Sequence, residues 1–246
     1  MNPITRLALL SDIHGNLTAF EAVLADLAAE GIEQMVCLGD VAAFGPQPAE
    51  VLERLQALNV PVIMGNTDAW LLDPQPHAKR DEQTSIVNEI ELWGAAQLTA
   101  VHHQYLQTFQ PIISIPLAAD VELLCFHGSP HSYHDTIRAT TPDDEVAEFL
   151  EGHMAAIMAG GHTHTQLVRR FRQSWLINPG SVGLPYEISG GTVQRPHAAE
   201  YGLISWENGR ITLQLRRVPY DTGRVADIAR ASGMPHADRW LVNWDH

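Results

Sequence analysis

The chain opens by alternating short apolar runs with helix-periodic stretches: Leu7 to Leu10, Leu17 to Glu30, Met35 to Leu38, Pro48 to Leu58 and Val60 to Met64. This order reads as β-α-β-α-β. Near-continuous apolar strands joined by amphipathic helices predict a sheet covered on both faces, with loops gathered at the carboxyl ends of the strands. Ligand sites in such sheets lie at those ends. From about residue 71 to 110 the pattern turns polar and mainly helical, opened by Asp73-Pro74-Gln75-Pro76, and reads as an inserted helical cap. Strands then dominate: Ile112 to Ile115, Val121 to Phe126, Ala155 to Ala159, Leu167 to Phe171, Trp175 to Ile177, Leu203 to Trp206 and Ile211 to Arg217. Asn208-Gly209 is a hairpin signal between the last two, and Asp221 to Ala231 closes as a short helix. With 246 residues and no internal repeat, the expectation is one domain, 1–246, carrying the cap.

Hydrophobic residues make up 45% of the chain and charged residues 18%, enough apolar surface for a packed core. Fifteen Lys and Arg against 29 Asp and Glu leave a formal charge of -14. That field repels a phosphate backbone, so high-affinity nucleic-acid binding is not expected. The first apolar run ends at Ser11 and Asp12, too early for a signal-peptide core, and no stretch is long enough to span a membrane. Cys37 and Cys125 each sit inside an apolar run, as buried thiols do, which fits a reducing cytoplasm.

Five polar clusters follow strand-like runs directly: Asp12 with His14, Gly39-Asp40, Gly65-Asn66-Thr67-Asp68, His127-Gly128, and Gly160-Gly161-His162-Thr163-His164. In extended chain alternate residues point the same way, so Asp12 with His14, and His162 with His164, can each offer two ligands to one cavity. Mixed carboxylate and imidazole donors suit Mn, Fe, Ni, Co or Zn better than Mg or Ca. Thirteen histidines give about 0.7 His-x-His pairs by chance, so one such motif is weak. Five clusters in order, each at a strand end beside glycine, are not a product of composition.

As SDIHGN, LGD, GNTD, FHG and GGHTH, these residues resemble the calcineurin-like metallophosphoesterase family, whose pattern is D-x-H, G-D, G-N-x-D or G-N-H-E, H-G and G-H-x-H. The likeness spans Asp12 to His164, and NPGSVGLP follows at Asn178 to Pro185, as it often does in the bacterial branch. It implies an α/β fold, a β-sandwich of two mixed sheets flanked by helices, and two divalent transition-metal ions sharing one carboxylate. Asp12, His14, Asp40 and His164 would hold the first ion, and Asp40, Asn66, His127 and His162 the second. The implied reaction is hydrolysis of a small phosphoester, a phosphodiester by preference, by a hydroxide bridging the two ions, with no side-chain nucleophile. A phosphomonoesterase acting on a nucleotide or dinucleotide is the alternative within enzymes. A non-catalytic scaffold of the same fold is the alternative outside them, and the seven intact ligand positions weigh against it. A homo-oligomer stays open.

Many members of that family carry His after the Asn of the third motif, to protonate the leaving group; here Thr67 stands there, and a hydroxyl is a poor acid near neutral pH. The departure resembles the small bacterial and archaeal phosphodiesterase branch. His131 and His134, following His127, are the candidate substitutes, and Arg138 is a candidate clamp on phosphate. Asn16, in the turn that opens the first helix, is a candidate phosphate contact through backbone N–H groups and the positive helix end. Asp68 either orders the ligands from behind or caps the helix after it. Asn178 to Gly183 reads as cleft floor or plain turn. His102 and His103 diverge by about 100° on a helix and read as surface or packing residues. Trp240 and Trp244, four apart, would dock the tail on the body.

Overall fold

Alternation along β1 (Arg6–Leu10) sets the layers. Leu7 and Leu9 point into one apolar cluster and Ala8 and Leu10 into another, so both faces of the strand are buried. The computed structural model describes residues 6–78, 80–118, 121–189, 192–207 and 209–242. After β1 come α1 (Leu17–Ala29), β2 (Met35–Cys37), α2 (Pro48–Leu58), α3 (Asn66–Leu72), α4 (Glu82–Ala96) and α5 (Ala100–Leu106). The chain continues through β3 (Ile113–Ala118), β4 (Val121–Cys125), α6 (Asp143–Phe149), β5 (Ile157–Ala159), β6 (Leu167–Phe171), β7 (Ser174–Asn178), β8 (Glu187–Ser189) and β9 (Thr192–Gln194). It closes with β10 (Ala198–Glu207), β11 (Arg210–Pro219), α7 (Thr222–Ala231) and α8 (Ala237–Trp240).

Two mixed sheets result, ordered β11-β10-β1-β2 and β3-β4-β5-β7-β6. β1 runs parallel to β2 and antiparallel to β10; β4, β5 and β7 are parallel, with antiparallel β3 and β6 at the edges. Between the sheets lie Leu7, Leu9, Val36 and Leu38 from one and Leu123, Cys125, Ile157 and Ile177 from the other. α1 and α2 cover the outer face of the first sheet through Phe20, Val23, Val51 and Leu52, and α6 covers the second through Val146. The parallel strands β1, β2, β4 and β5 end beside one another, and the polar clusters follow those ends.

Val60 to Met64 was expected as a strand but forms only isolated parallel bridges, Cys37 to Val62 and Ile63 to Gln110. Pro61 contributes a carbonyl to Cys37 N and has no N–H to return, which shortens the ladder. The stretch from 71 to 110 holds α4 and α5. α5 packs into the main core through Leu106, and α4 through Ile86 and Ile90 against Leu184, Val225 and Trp240. α6, α8 and the β8–β9 hairpin were not anticipated. Asn208 and Trp244 lie outside the described residues.

Candidate metal centre

The structure brings all seven candidate ligands to one place. Asp12, His14 and His164 form one group and Asp40, His127 and His162 a second, each with its donor atoms within 4.8 Å of one another. His14 Nε2 lies 3.0 Å from His164 Nε2, and His164 Nε2 lies 3.2 Å from Asp12 Oδ1. Asp40 Oδ2 faces both groups, 3.8 Å from His14 Nε2 and 3.4 Å from His127 Nε2. Asn66 Oδ1 stands 3.0 Å from His127 Nε2.

The expected extended geometry is not what aligns these side chains. Asp12, His14, Asp40, His162 and His164 all have φ between 48° and 65°, five of the nine non-glycine residues with positive φ among those described. β1, β2 and β5 thus run out into left-handed kinks that carry these side chains, whereas His127 after β4 has no such kink, and Thr163 N donates to Gly161 O at 2.7 Å to close the turn between the last two.

Outer partners fix the rings. Nδ1 of His14, His127 and His164 donates to the carbonyl oxygens of Ala43 (2.9 Å), Leu38 (2.7 Å) and Leu184 (2.8 Å), leaving Nε2 of each toward the centre. Burial and the neighbouring His164 lower His14 to about 4, whereas Asp40 overcomes the burial of His127 and raises it to about 9. Asp12 and Asp40 lie below the ordinary carboxylate range: burial opposes this, and His164 and His127 respectively outweigh it. Protons on the rings thus balance the carboxylates, and a bound cation does so by displacing them. Buried Asp12 Oδ1 has no hydrogen-bond donor among the described residues, and the Asn66 oxygen faces only acceptors. Turning the Asn66 amide over satisfies its own contacts but not the Asp12 oxygen, so a cation fits the donor set better. Donors about 2.1 Å from a common tetrahedral ion stand about 3 to 3.5 Å apart, close to the spacings seen.

Asp68 holds the second strand end from behind. Its Oδ2 accepts from Asp40 N at 2.7 Å and Gly65 N at 3.1 Å, and its Oδ1 from Val41 N at 2.9 Å, so it both caps α3 and fixes the backbone of Asp40. Burial, then the Asp40 charge, push its carboxyl up to about 7. Gly65 is required here: a Cβ would stand 2.2 Å from Asp40 Oδ1. The Asn178 to Gly183 segment is a strap across the ligand loops. Asn178 Nδ2 donates to Gly161 O at 2.6 Å, Ser181 Oγ to Asp12 O at 2.7 Å and Gly183 N to Asp12 O at 3.1 Å.

The candidate substrate residues are placed differently. Asn16 is buried: its Oδ1 caps α1 through Ala19 N, its Nδ2 donates to Gly183 O, and the Gly15 and Asn16 N–H groups donate to Val41 O and Ile13 O. The Asn16 side chain and the N–H groups of Gly15 and Asn16 are thus bonded within the protein, and Asn16 does not line the cleft. His131 Nε2 bonds Glu151 O at 2.7 Å and its ring packs on His153, away from the cleft. Arg138 is exposed and gives its carbonyl to Arg169. His134 lies nearer, its ring 6.4 Å from that of His162. Buried His102 binds Thr99 N and lies 3.4 Å from Glu53, a packing role. Trp240 is buried against the α7 cluster. The cleft, a cavity of about 300 Å³, is lined by His14, Asp40, Asn66, Thr67, His162 and His164, and also by Phe44, Glu91, Tyr186 and Arg195, which sequence reasoning missed.

Two mixed sheets flanked by helices, with paired His and carboxylate groups at the ends of parallel strands, define an α/β metallophosphoesterase fold. The chain matches the calcineurin-like phosphoesterase superfamily domain over residues 5–199 and belongs to that family, whose members are metal-dependent hydrolases acting on ester bonds. It is 26% identical over 243 residues to the uncharacterized protein MJ0912 of Methanocaldococcus jannaschii, covering 96% of this chain and 95% of that one. It is 29% identical over 210 residues to phosphodiesterase YfcE of Escherichia coli, covering 81% and 86%. The crystal structure of a metallophosphoesterase from Sphaerobacter thermophilus superposes with a TM-score of 0.73 at 25% identity, covering 97% and 99%. No described helix is long and apolar enough to cross a membrane.

Proposed function

We propose that this chain hydrolyses a phosphodiester of modest size, with one divalent transition-metal ion held by Asp12, His14, Asp40 and His164 and a second by Asp40, Asn66, His127 and His162. The observation that carries the reading is the position of Asp40 Oδ2, which faces His14 and His127 together. Bound there, the ions supply activated water and a positive clamp for the phosphoryl oxygens. The protein supplies the frame: rings fixed by backbone carbonyls, strand ends tied by Asp68 and the Asn178 to Gly183 strap. Thr67 lines the cleft, and its buried Oγ1 has no hydrogen-bond partner among the described residues. A charge of -14 and a cavity of about 300 Å³ support a small ester over a nucleic acid. Two free, buried cysteines support a cytoplasmic setting.

Metal-stripped protein reloaded in turn with Mn, Fe, Ni, Co and Zn should hydrolyse bis(4-nitrophenyl) phosphate only when loaded, and Asp40→Asn should abolish turnover. Full activity after exhaustive chelation refutes the metal reading. A 4-nitrophenyl phosphate monoester turned over faster than the diester refutes the diester preference.

A further inference from the structure

The cleft carries a carboxyl that the ligand set leaves unused. Glu91, on α4, lines the cavity with Asn66 and Thr67, its side chain only 10% exposed. Its Oε2 lies 3.0 Å from His77 Nε2. His77 is fixed on three sides: its N–H donates to Asn88 Oδ1 at 2.8 Å, its carbonyl accepts from Asn88 Nδ2 at 2.9 Å, and its ring stacks on Trp70 at 5.8 Å between centroids. Asn88 and Glu91 are the buried polar residues of a helix whose other buried positions are Ile86, Ile90 and Gly94. A polar pair built onto that face, clamped to the preceding loop and opening on the cleft, is more than packing requires. Burial raises the Glu91 pKa above its ordinary value against the pull of His77, and the Asp40 charge adds to the rise.

We propose that Glu91 is the general acid of the hydrolysis and that His77 positions it. The role replaces the one that Thr67 is unable to fill, and it rests on the phosphodiesterase reading above. As the oxygen of water bonds to phosphorus, the bond from phosphorus to the leaving oxygen breaks and its electron pair stays on that oxygen. The Glu91 carboxyl proton passes to it, giving the alcohol. The attacking water releases its own proton to solvent, and the Glu91 carboxylate, accepting from His77 Nε2, regains a proton from solvent. Of the histidines expected in this role, His131 is turned to Glu151 and His134 is exposed.

The test is a series of methyl phosphodiesters whose leaving groups run from 4-nitrophenol to simple alcohols, on metal-loaded protein with chemistry shown to limit turnover. Wild type should give a shallow dependence on leaving-group basicity. Glu91→Gln should steepen it, losing about 10²- to 10⁴-fold on alkyl esters and less on the 4-nitrophenyl ester. His77→Ala, at a half-exposed position, should steepen it partway. A second readout uses the metal-free protein: in an infrared pH titration, one protonated-carboxyl component, distinct from those of Asp68 and Glu200, should be lost in Glu91→Gln and titrate at a different pH in His77→Ala. Metal-dependent hydrolysis with an unaltered slope in Glu91→Gln, or steepening in His134→Ala instead, overturns the role of Glu91 alone. Absence of wild-type hydrolysis with every metal overturns the phosphodiesterase reading and this one with it.

Discussion

Asp68→Asn isolates the frame from the ligands. The carboxylate receives three buried N–H groups on two oxygens, at 2.7, 2.9 and 3.1 Å. An amide of the same shape keeps one oxygen and replaces the other with a donor. With its oxygen toward Asp40 N and Gly65 N, the new NH₂ confronts Val41 N; turned over, it confronts the other two. At least one buried N–H is then left without an acceptor, at about 1 to 3 kcal/mol; because an amide also escapes the cost of ionising a carboxyl raised to about 7, that loss is read near pH 4, before the cost sets in. For a chain of this length each kcal/mol moves the midpoint by about 2 to 4 °C, which predicts a fall of about 2 to 12 °C in calorimetric melts in EDTA near pH 4. Because Asp68 also holds Asp40 in its left-handed kink, metal affinity should drop about 10- to 100-fold in calorimetric titration with Zn. A midpoint within about 1 °C of wild type would refute the hydrogen-bond argument. A lowered midpoint with unchanged affinity would reduce Asp68 to a helix cap.

Two further outcomes test the energetics. Saturating metal should raise the melting midpoint, by about 2.7 kcal/mol of stability at 100 times the dissociation constant; no change with any of Mn, Fe, Ni, Co or Zn would support a non-catalytic scaffold. Glu200, buried beside Arg217, is raised by burial from 4.5 to about 7 against that pairing. A carboxyl raised on folding contributes stability that is full below about pH 4.5 and lost as pH rises through about 7. Glu200→Gln, which does not titrate, should therefore gain up to about 3 kcal/mol on wild type between pH 5 and pH 8 in paired melts, and a constant difference would contradict the assignment.

Periodicity made the first half of the fold legible, because β1, α1, β2 and α2 bury alternate or helically spaced apolar residues against two layers. It failed where pairing depends on a distant partner. Residues 60 to 64 look like β2 in sequence, yet Pro61 and a single bridge to Gln110 leave them short of a strand. The start of α6 was available in Pro142 followed by Asp143, Asp144 and Glu145, an acidic first turn suited to the helix dipole. β11 runs Arg210–Pro219, little longer than the expected Ile211 to Arg217, and within it Arg216 and Arg217 pair with Glu30 and Glu200. Glu91 and His77 carry no motif: fourteen residues apart in a polar stretch, they meet only because Asn88 clamps the loop onto α4. The one local signal was a glutamate beside Ile90 on the buried face of that helix.

The left-handed kinks explain why the ligand clusters were so readable. A non-glycine residue with positive φ costs on the order of 1 to 3 kcal/mol, and Asp, Asn and His tolerate that region best. Asp and His are also the side chains that donate to transition metals. Conformation and chemistry therefore select the same residue types at Asp12, His14, Asp40, His162 and His164, and glycines fill the neighbouring positions where a Cβ would collide. The kinks are held by protein alone: Asp12 N donates to Gly39 O, His14 N to Asp40 O and His162 N to Asp12 Oδ2, and the Asn178 to Gly183 strap ties Asp12 from behind. These bonds lie outside the donor atoms that face the centre, so they orient the ligands without using the groups a cation needs. Loss of metal should then lower stability without unfolding the two-sheet core that carries the strand ends.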